Sequence, residues 1–173
     1  MSITGQKWQK LFLFSLGLFM AAAFCMKWME NDFLQGGQKF TIMGLEFFYP
    51  KGKVACILAG LDEHVKTILR YHLSFDFVFM AGVYPGIASL CMMAREKSVN
   101  GILKKILFVL ASLQALAWGC DIFENICLLK WINNPVIGND FASYHLIVAA
   151  KWIIALTGAM PAIPLAIRGR KQM

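Results

Sequence analysis

Four long apolar runs, separated by shorter polar stretches, dominate the pattern along this chain: about Leu11 to Cys25, Ile68 to Ala94, Ile102 to Trp131 and Phe141 to Ile167. A helix that crosses hydrocarbon needs roughly 20 predominantly apolar residues, somewhat more if it tilts. The pattern therefore predicts an all-α membrane protein, a bundle of four transmembrane helices forming one integral membrane domain over residues 1–173. The first run follows Lys7 and Lys10, and Ala21 and Ala23 give it the small-x-small spacing of a signal-peptide cleavage site. A lipoprotein signal does not fit, because the residue before Cys25 is the bulky Phe24. The run is read as an uncleaved first span.

Between the first two runs lies a connection of about forty residues, 26–67, too long for a plain loop and so expected to carry structure of its own. Its segment Lys39 to Tyr49, KFTIMGLEFFY, is rich in strand-favouring residues, and Pro50 and Gly52 then turn the chain. From Lys53 on, Val54, Ile57, Leu58, Leu61, Val65, Ile68 and Leu69 recur at spacings of three and four, which predicts an amphipathic helix. That helix is expected to lie on the membrane surface or cap the bundle before leading into the second span. No internal repeat is visible.

Composition agrees with lipid as the solvent. Hydrophobic residues make up 58% of the 173 and charged ones only 16%, with a mean hydropathy of +0.59, more apolar than a soluble domain of this length can bury. The net charge of +7 raises the question of a nucleic-acid partner, but the basic residues neither cluster on one soluble element nor alternate with stacking aromatics. Membrane topology accounts for them better. Lys7, Lys10, Arg95, Lys97, Lys104, Lys105, Arg168, Arg170 and Lys171 fall in the two termini and the second connection, with Glu96 the only acid there. By the positive-inside rule these parts are cytoplasmic and the other two connections face outward, which in a bacterial cell means a multi-pass protein of the inner membrane. Trp28 and Trp131 then fall where an interfacial aromatic belt belongs. Cys25, Cys56, Cys91, Cys120 and Cys127 lack CxxC spacing and mostly sit in apolar runs, where a thiol acts as a small hydrophobe. Cys25 and Cys56 can meet at one membrane face, which leaves a disulfide between them open.

Ionisable groups inside a span cost about 2.5 to 3.5 kcal/mol each on insertion scales, so they face a bundle interior or a wet cavity. The second span holds Asp76 and Tyr84, the third Gln114, Asp121, Glu124 and Asn125, and the fourth Tyr144, His145 and Lys151. Counted inward at about 1.5 Å per residue, Asp76 and His145 lie one to two turns from the outer ends, Glu124 and Asn125 about two, and Asp121 and Lys151 nearly three. Gln114, Trp118, Asp121 and Asn125 share one helical face, and Tyr144, Lys151 and Gly158 share another. Both stripes are expected to point into one interior space.

Two readings compete for this cluster. In one, Lys151 forms a buried ion pair with Asp121 or Glu124, and the remaining polar groups satisfy leftover hydrogen bonds. In the other, the excess of acid over base lines an outward-facing cavity for a ligand, a proton path or acid/base chemistry. His145, without a second His or Cys at ligand spacing, reads as an interfacial side chain, so no metal site is expected. Pro85-Gly86, Pro161 and Pro164 mark kinks that a membrane helix tolerates. No P-loop, GxSxG, HExxH or dinucleotide fingerprint is present, so no cofactor is expected.

At Leu45-Glu46-Phe47, Asp76-Phe77-x-Phe79 with Tyr84, Asp121-x-x-Glu124-Asn125 and Lys151, the chain resembles a group of small bacterial four-span membrane proteins of uncharacterised function. The resemblance covers most of the chain from the first outer connection onward. It implies that Asp76, Asp121, Glu124, Asn125 and Lys151 form one constellation and implies no reaction. In architecture alone the chain is also similar to signal peptidase II, the lipoprotein aspartic protease, but it lacks that family's Asn- and Gly-rich motifs, and its acids sit on the second and third spans.

The leading expectation is a cavity that binds a small or lipidic ligand through Asp76, Tyr84, Gln114, Asp121, Glu124, Asn125, Tyr144, His145 and Lys151, with membrane lipid as surroundings and no nucleic-acid partner. An intramembrane enzyme for a lipid-like substrate, with Asp76, Asp121 or Glu124 as general acid/base, is the alternative. A structural subunit held by a buried ion-pair network is the third.

Overall fold

A computed structural model describes residues 3–167, with side chains from residue 5 onward; the basic tail containing Arg168, Arg170 and Lys171 lies outside the described residues. Among the described residues, four helices are long and apolar enough to cross a membrane. In chain order they are α1 (Ile3–Met29), α3 (Glu63–Lys97), α4 (Gly101–Asn133) and α5 (Asp140–Ile167). Between α1 and α3 come a 3-10 turn (Glu30–Asp32), a hairpin of β1 (Leu34–Gln35) and β2 (Gln38–Lys39), a π-helical turn (Gly44–Phe48) and the short helix α2 (Lys51–Ala59).

The helices run beyond the apolar runs because capping groups, rather than hydropathy, set their ends. Asp62 accepts from the backbone N–H of Val65 at 2.8 Å to start α3, and Asn100 accepts from Ile102 at 2.9 Å to start α4. The chain runs helically through Pro85, Pro161 and Pro164.

The short strand element is present, slightly upstream of its expected place. Gly36 and Gly37 have φ of 57° and 78°, the pair of positive values that a type I′ hairpin turn demands, and Leu34 pairs with Lys39 in antiparallel register. Beyond Lys39 the strand-like run instead coils into the π turn, because Leu45 is drawn fully inside. The expected single amphipathic helix from Lys53 onward is broken in two. Gly60 ends α2, and the Asp62 cap begins α3. Cys25 and Cys56 are both free thiols.

The segment from Phe33 to Leu61 caps one end of the bundle. Phe33, Leu45, Val54 and Leu58 form one continuous core with Leu69 and Leu73 of α3, Leu128 and Trp131 of α4, and Tyr144 and Val148 of α5. Below that cap, α3 packs on α1, α4 and α5, while α1 packs chiefly on α3. A Cβ at Gly82 would stand 2.6 Å from the Phe19 backbone N and 2.9 Å from the Ser15 backbone O, so glycine there sets how closely α1 approaches α3. Elsewhere α1 shows Phe14, Met20, Phe24 and Trp28 outward, as a helix solvated by lipid would.

Candidate functional site

Beneath the cap, side chains from three helices and the π turn converge on one ammonium group. Lys151 Nζ of α5 stands 2.6 Å from Asp121 Oδ1, 2.5 Å from Glu124 Oε2 and 3.8 Å from Glu46 Oε2. Asp121 and Glu124 are on successive turns of one face of α4, so a single lysine reaching across from α5 meets both. The Tyr84 hydroxyl of α3 donates to the other oxygen of Asp121, Oδ2, at 2.7 Å. Nearer the cap, Asn125 Nδ2 donates to Asp76 Oδ2 at 2.7 Å and to the Leu73 carbonyl at 3.4 Å. Asp121, Glu124, Asn125 and Lys151 are all buried.

Glu46 is the member that sequence reasoning left out of the site, although it stands in the quoted Leu45-Glu46-Phe47 piece. Its backbone is placed by local bonds: the Gly44 N–H donates to Thr41 Oγ1 at 3.0 Å, and the Tyr49 N–H closes the π turn on the Gly44 carbonyl at 2.7 Å. A side chain at Gly44 would collide with the Tyr49 ring. With Leu45 anchored in the cap core, Glu46 is aimed down at Lys151. Burial pushes its carboxyl well above the usual carboxylate range. The negative charge of Glu124 pushes the same way, Lys151 opposes, and Asp121 adds to the rise.

Of the remaining predicted site residues, Gln114 lies apart from the carboxylates. Its Nε2 donates to the Leu110 and Ile154 carbonyls at 3.1 and 3.3 Å, and it fills the notch left by Gly158, so it ties α4 to α5. Tyr144 is packed edge-on against Trp131, with ring centroids 4.9 Å apart, and its hydroxyl has no hydrogen-bond partner among the described residues. His145 is half-buried against Phe141, with centroids 4.4 Å apart, and near Phe47. Both belong to the aromatic layer at the capped end.

Asp76, Asp121, Glu46, Tyr84 and Lys151 form the polar floor of a cavity of about 390 Å³ whose other walls include Phe19, Met26, Phe79, Val83 and Trp152. It is framed by α1, α3, α5, the 3-10 turn at Glu30 and the π turn, with Asp121 reaching in from α4. Phe19 and Val83 also border a second space of about 240 Å³, which continues between α1, α3 and α5 past Gly82, Gly86, Leu90 and Ile163 and is lined almost wholly by apolar atoms. Among the described residues, no group of three or more His, Cys, Asp or Glu is arranged to hold a metal ion.

The cluster around Lys151 carries four carboxyl groups, Glu46, Asp76, Asp121 and Glu124, against one ammonium, and Glu30, paired with Lys27 at 2.6 Å, also lines the cavity. Lys151 is committed to two or three of them. Asp76, at the cavity wall, has an amide partner in Asn125 and no ion-pair partner among the described residues. The arrangement can hold protons, accept hydrogen bonds from a guest, or balance a guest's positive charge. Set beside known proteins, the chain matches no family model, no curated protein and no solved structure.

Proposed function

We propose that this is a four-span inner-membrane protein that binds an amphiphile in the cavity between α1, α3 and α5, with the ligand's polar end on the carboxylate floor. One observation carries the reading: a space of about 390 Å³ in which Glu30, Glu46, Asp76, Tyr84, Asp121 and Lys151 are the polar lining and the remaining wall residues are apolar. Sites for small ligands fall in the range of about 300 to 1,000 Å³ and combine mostly apolar walls with a few convergent polar groups. A structural ion pair alone would be best served by a closed, dry contact. The apolar groove past Gly82 and Gly86 supports a guest with a hydrocarbon part.

In this reading the capped end faces outward and the Arg95 to Lys105 connection is cytoplasmic, in line with its basic residues. A membrane-impermeant thiol reagent should leave a cysteine at position 98 unlabelled in intact cells and label it after lysis. Labelling in intact cells overturns the orientation.

The binding claim is tested by extracting the purified protein and quantifying retained amphiphiles by mass spectrometry. Val83→Phe fills the junction of cavity and groove, and it should lower retention about tenfold, the effect of roughly 1.4 kcal/mol of lost binding, while the helical circular dichroism persists. Equal retention by both proteins, or none by the wild type, overturns the proposal.

A further inference from the structure

Resting on that reading, we infer that the amphiphile has a cationic head, an amine or quaternary ammonium seated against Asp76, and a hydrocarbon chain that runs along the groove between α1 and α5. Lys151 directs its ammonium at Asp121, Glu124 and Glu46, Tyr84 spends its one O–H on Asp121, and Asn125 spends its amide on Asp76 and the Leu73 carbonyl. The side chains of the floor therefore present acceptors to the cavity and have few donors left to offer. A phosphate, sulfate or carboxylate head would meet like charge with few donors to offset it. A cation meets opposite charge at Asp76, which among the described carboxylates lining the cavity is held neither by Lys151, as Glu46 and Asp121 are, nor by Lys27, as Glu30 is.

The walls agree with that choice. Phe19, Phe79 and Trp152 stand around the floor, and aromatic faces attract ammonium groups, quaternary ones above all. The hydrocarbon part has its own path. From Asp76 to Leu90, α3 rises about 21 Å at roughly 1.5 Å per residue, and over its lower part the groove is flanked by Gly82, Gly86, Ala159 and Ile163. Both glycines face α1, which closes on α3 at those points. A head near the capped end with a chain descending parallel to the helices is the orientation a lipid has in one leaflet.

The experiment compares three ligands that share a sixteen-carbon chain and differ in head: hexadecyltrimethylammonium, hexadecanol and hexadecanoate. Each is titrated below its micellar concentration into full-length protein in zwitterionic nanodiscs, with empty nanodiscs subtracted. The cation should bind saturably and about tenfold more tightly than the other two. Asp76→Asn should remove that preference and leave hexadecanol binding unchanged, and Ile163→Trp should weaken all three by narrowing the groove. Equal binding of the three heads by the wild type, or a preference for hexadecanoate, overturns the cationic head and leaves the amphiphile reading standing. Unaltered binding in Ile163→Trp overturns the path of the chain. Absence of saturable binding by all three overturns the amphiphile reading and this inference together. The comparison of heads on the wild type decides the matter even if the Asp76 variant does not fold.

Discussion

Lys151 reaches from α5 to hold Asp121 of α4 at 2.6 Å, with both side chains buried. Removing one partner of such a pair leaves a buried charge uncompensated, which costs about 3 to 5 kcal/mol. Lys151→Met should therefore lower the unfolding temperature in detergent sharply. Adding Asp121→Asn should recover part of the loss, because the two residues share one interaction. Strictly additive shifts in a double-mutant cycle would show that the pair is not coupled.

Glu46 gives the cap a pH dependence. Its carboxyl is raised by burial and by Glu124, so the folded protein holds this proton more tightly than the unfolded chain, where a glutamate titrates near about 4.3. The contribution of protonated Glu46 to stability is fully present below that unfolded value. It is lost as pH rises toward and through the raised folded value. Unfolding midpoints should therefore fall across that window, and Glu46→Gln, which stays neutral, should flatten this part of the profile. An unchanged slope in the variant would place the titration elsewhere.

Gly82 sets the spacing of α1 from α3. With a Cβ there only 2.6 Å from the Phe19 backbone N, α1 cannot stay where it is in Gly82→Val. Overpacking of this kind costs about 1 to 3 kcal/mol. Gly17, with nothing within 4 Å of its Cβ position, is the control: Gly17→Ala should leave stability equal or raised by a few tenths of a kcal/mol through helix propensity. Thermal unfolding of both variants checks the contrast, and equal effects would show that close helix approach does not limit α1.

Much of this architecture is written in periodicity. The four helices follow from the length of the apolar runs, since little but lipid can solvate them, and the convergence of Asp121, Asn125 and Lys151 follows from their spacing and similar depth. Glu46 was illegible for a physical reason. In KFTIMGLEFFY the local preference is for strand, and the π turn arises only once Leu45 is buried in the cap core beside α3, α4 and α5. Gln114 and Tyr144 show the opposite limit. Helical spacing correctly turned both inward, but which neighbour each meets depends on how α5 sits against α4, set in part by the notch at Gly158. The break at Gly60 has local signals, since Gly60 is a helix stop and Asp62, two residues on, a cap, but the apolar spacing continues across it.

Trp152 lines the cavity beside Lys151, so its fluorescence reports directly on whether an amphiphile enters. The contribution of Trp152 is obtained by subtracting the emission of Trp152→Phe from that of the wild type in nanodiscs. On titration with a hexadecanol brominated along its chain, this contribution should be quenched saturably, and excess unbrominated hexadecanol should restore it. Quenching that grows linearly with the brominated ligand and is unaffected by competitor would mean that Trp152 meets only bulk lipid, and would contradict a binding site between α1, α3 and α5.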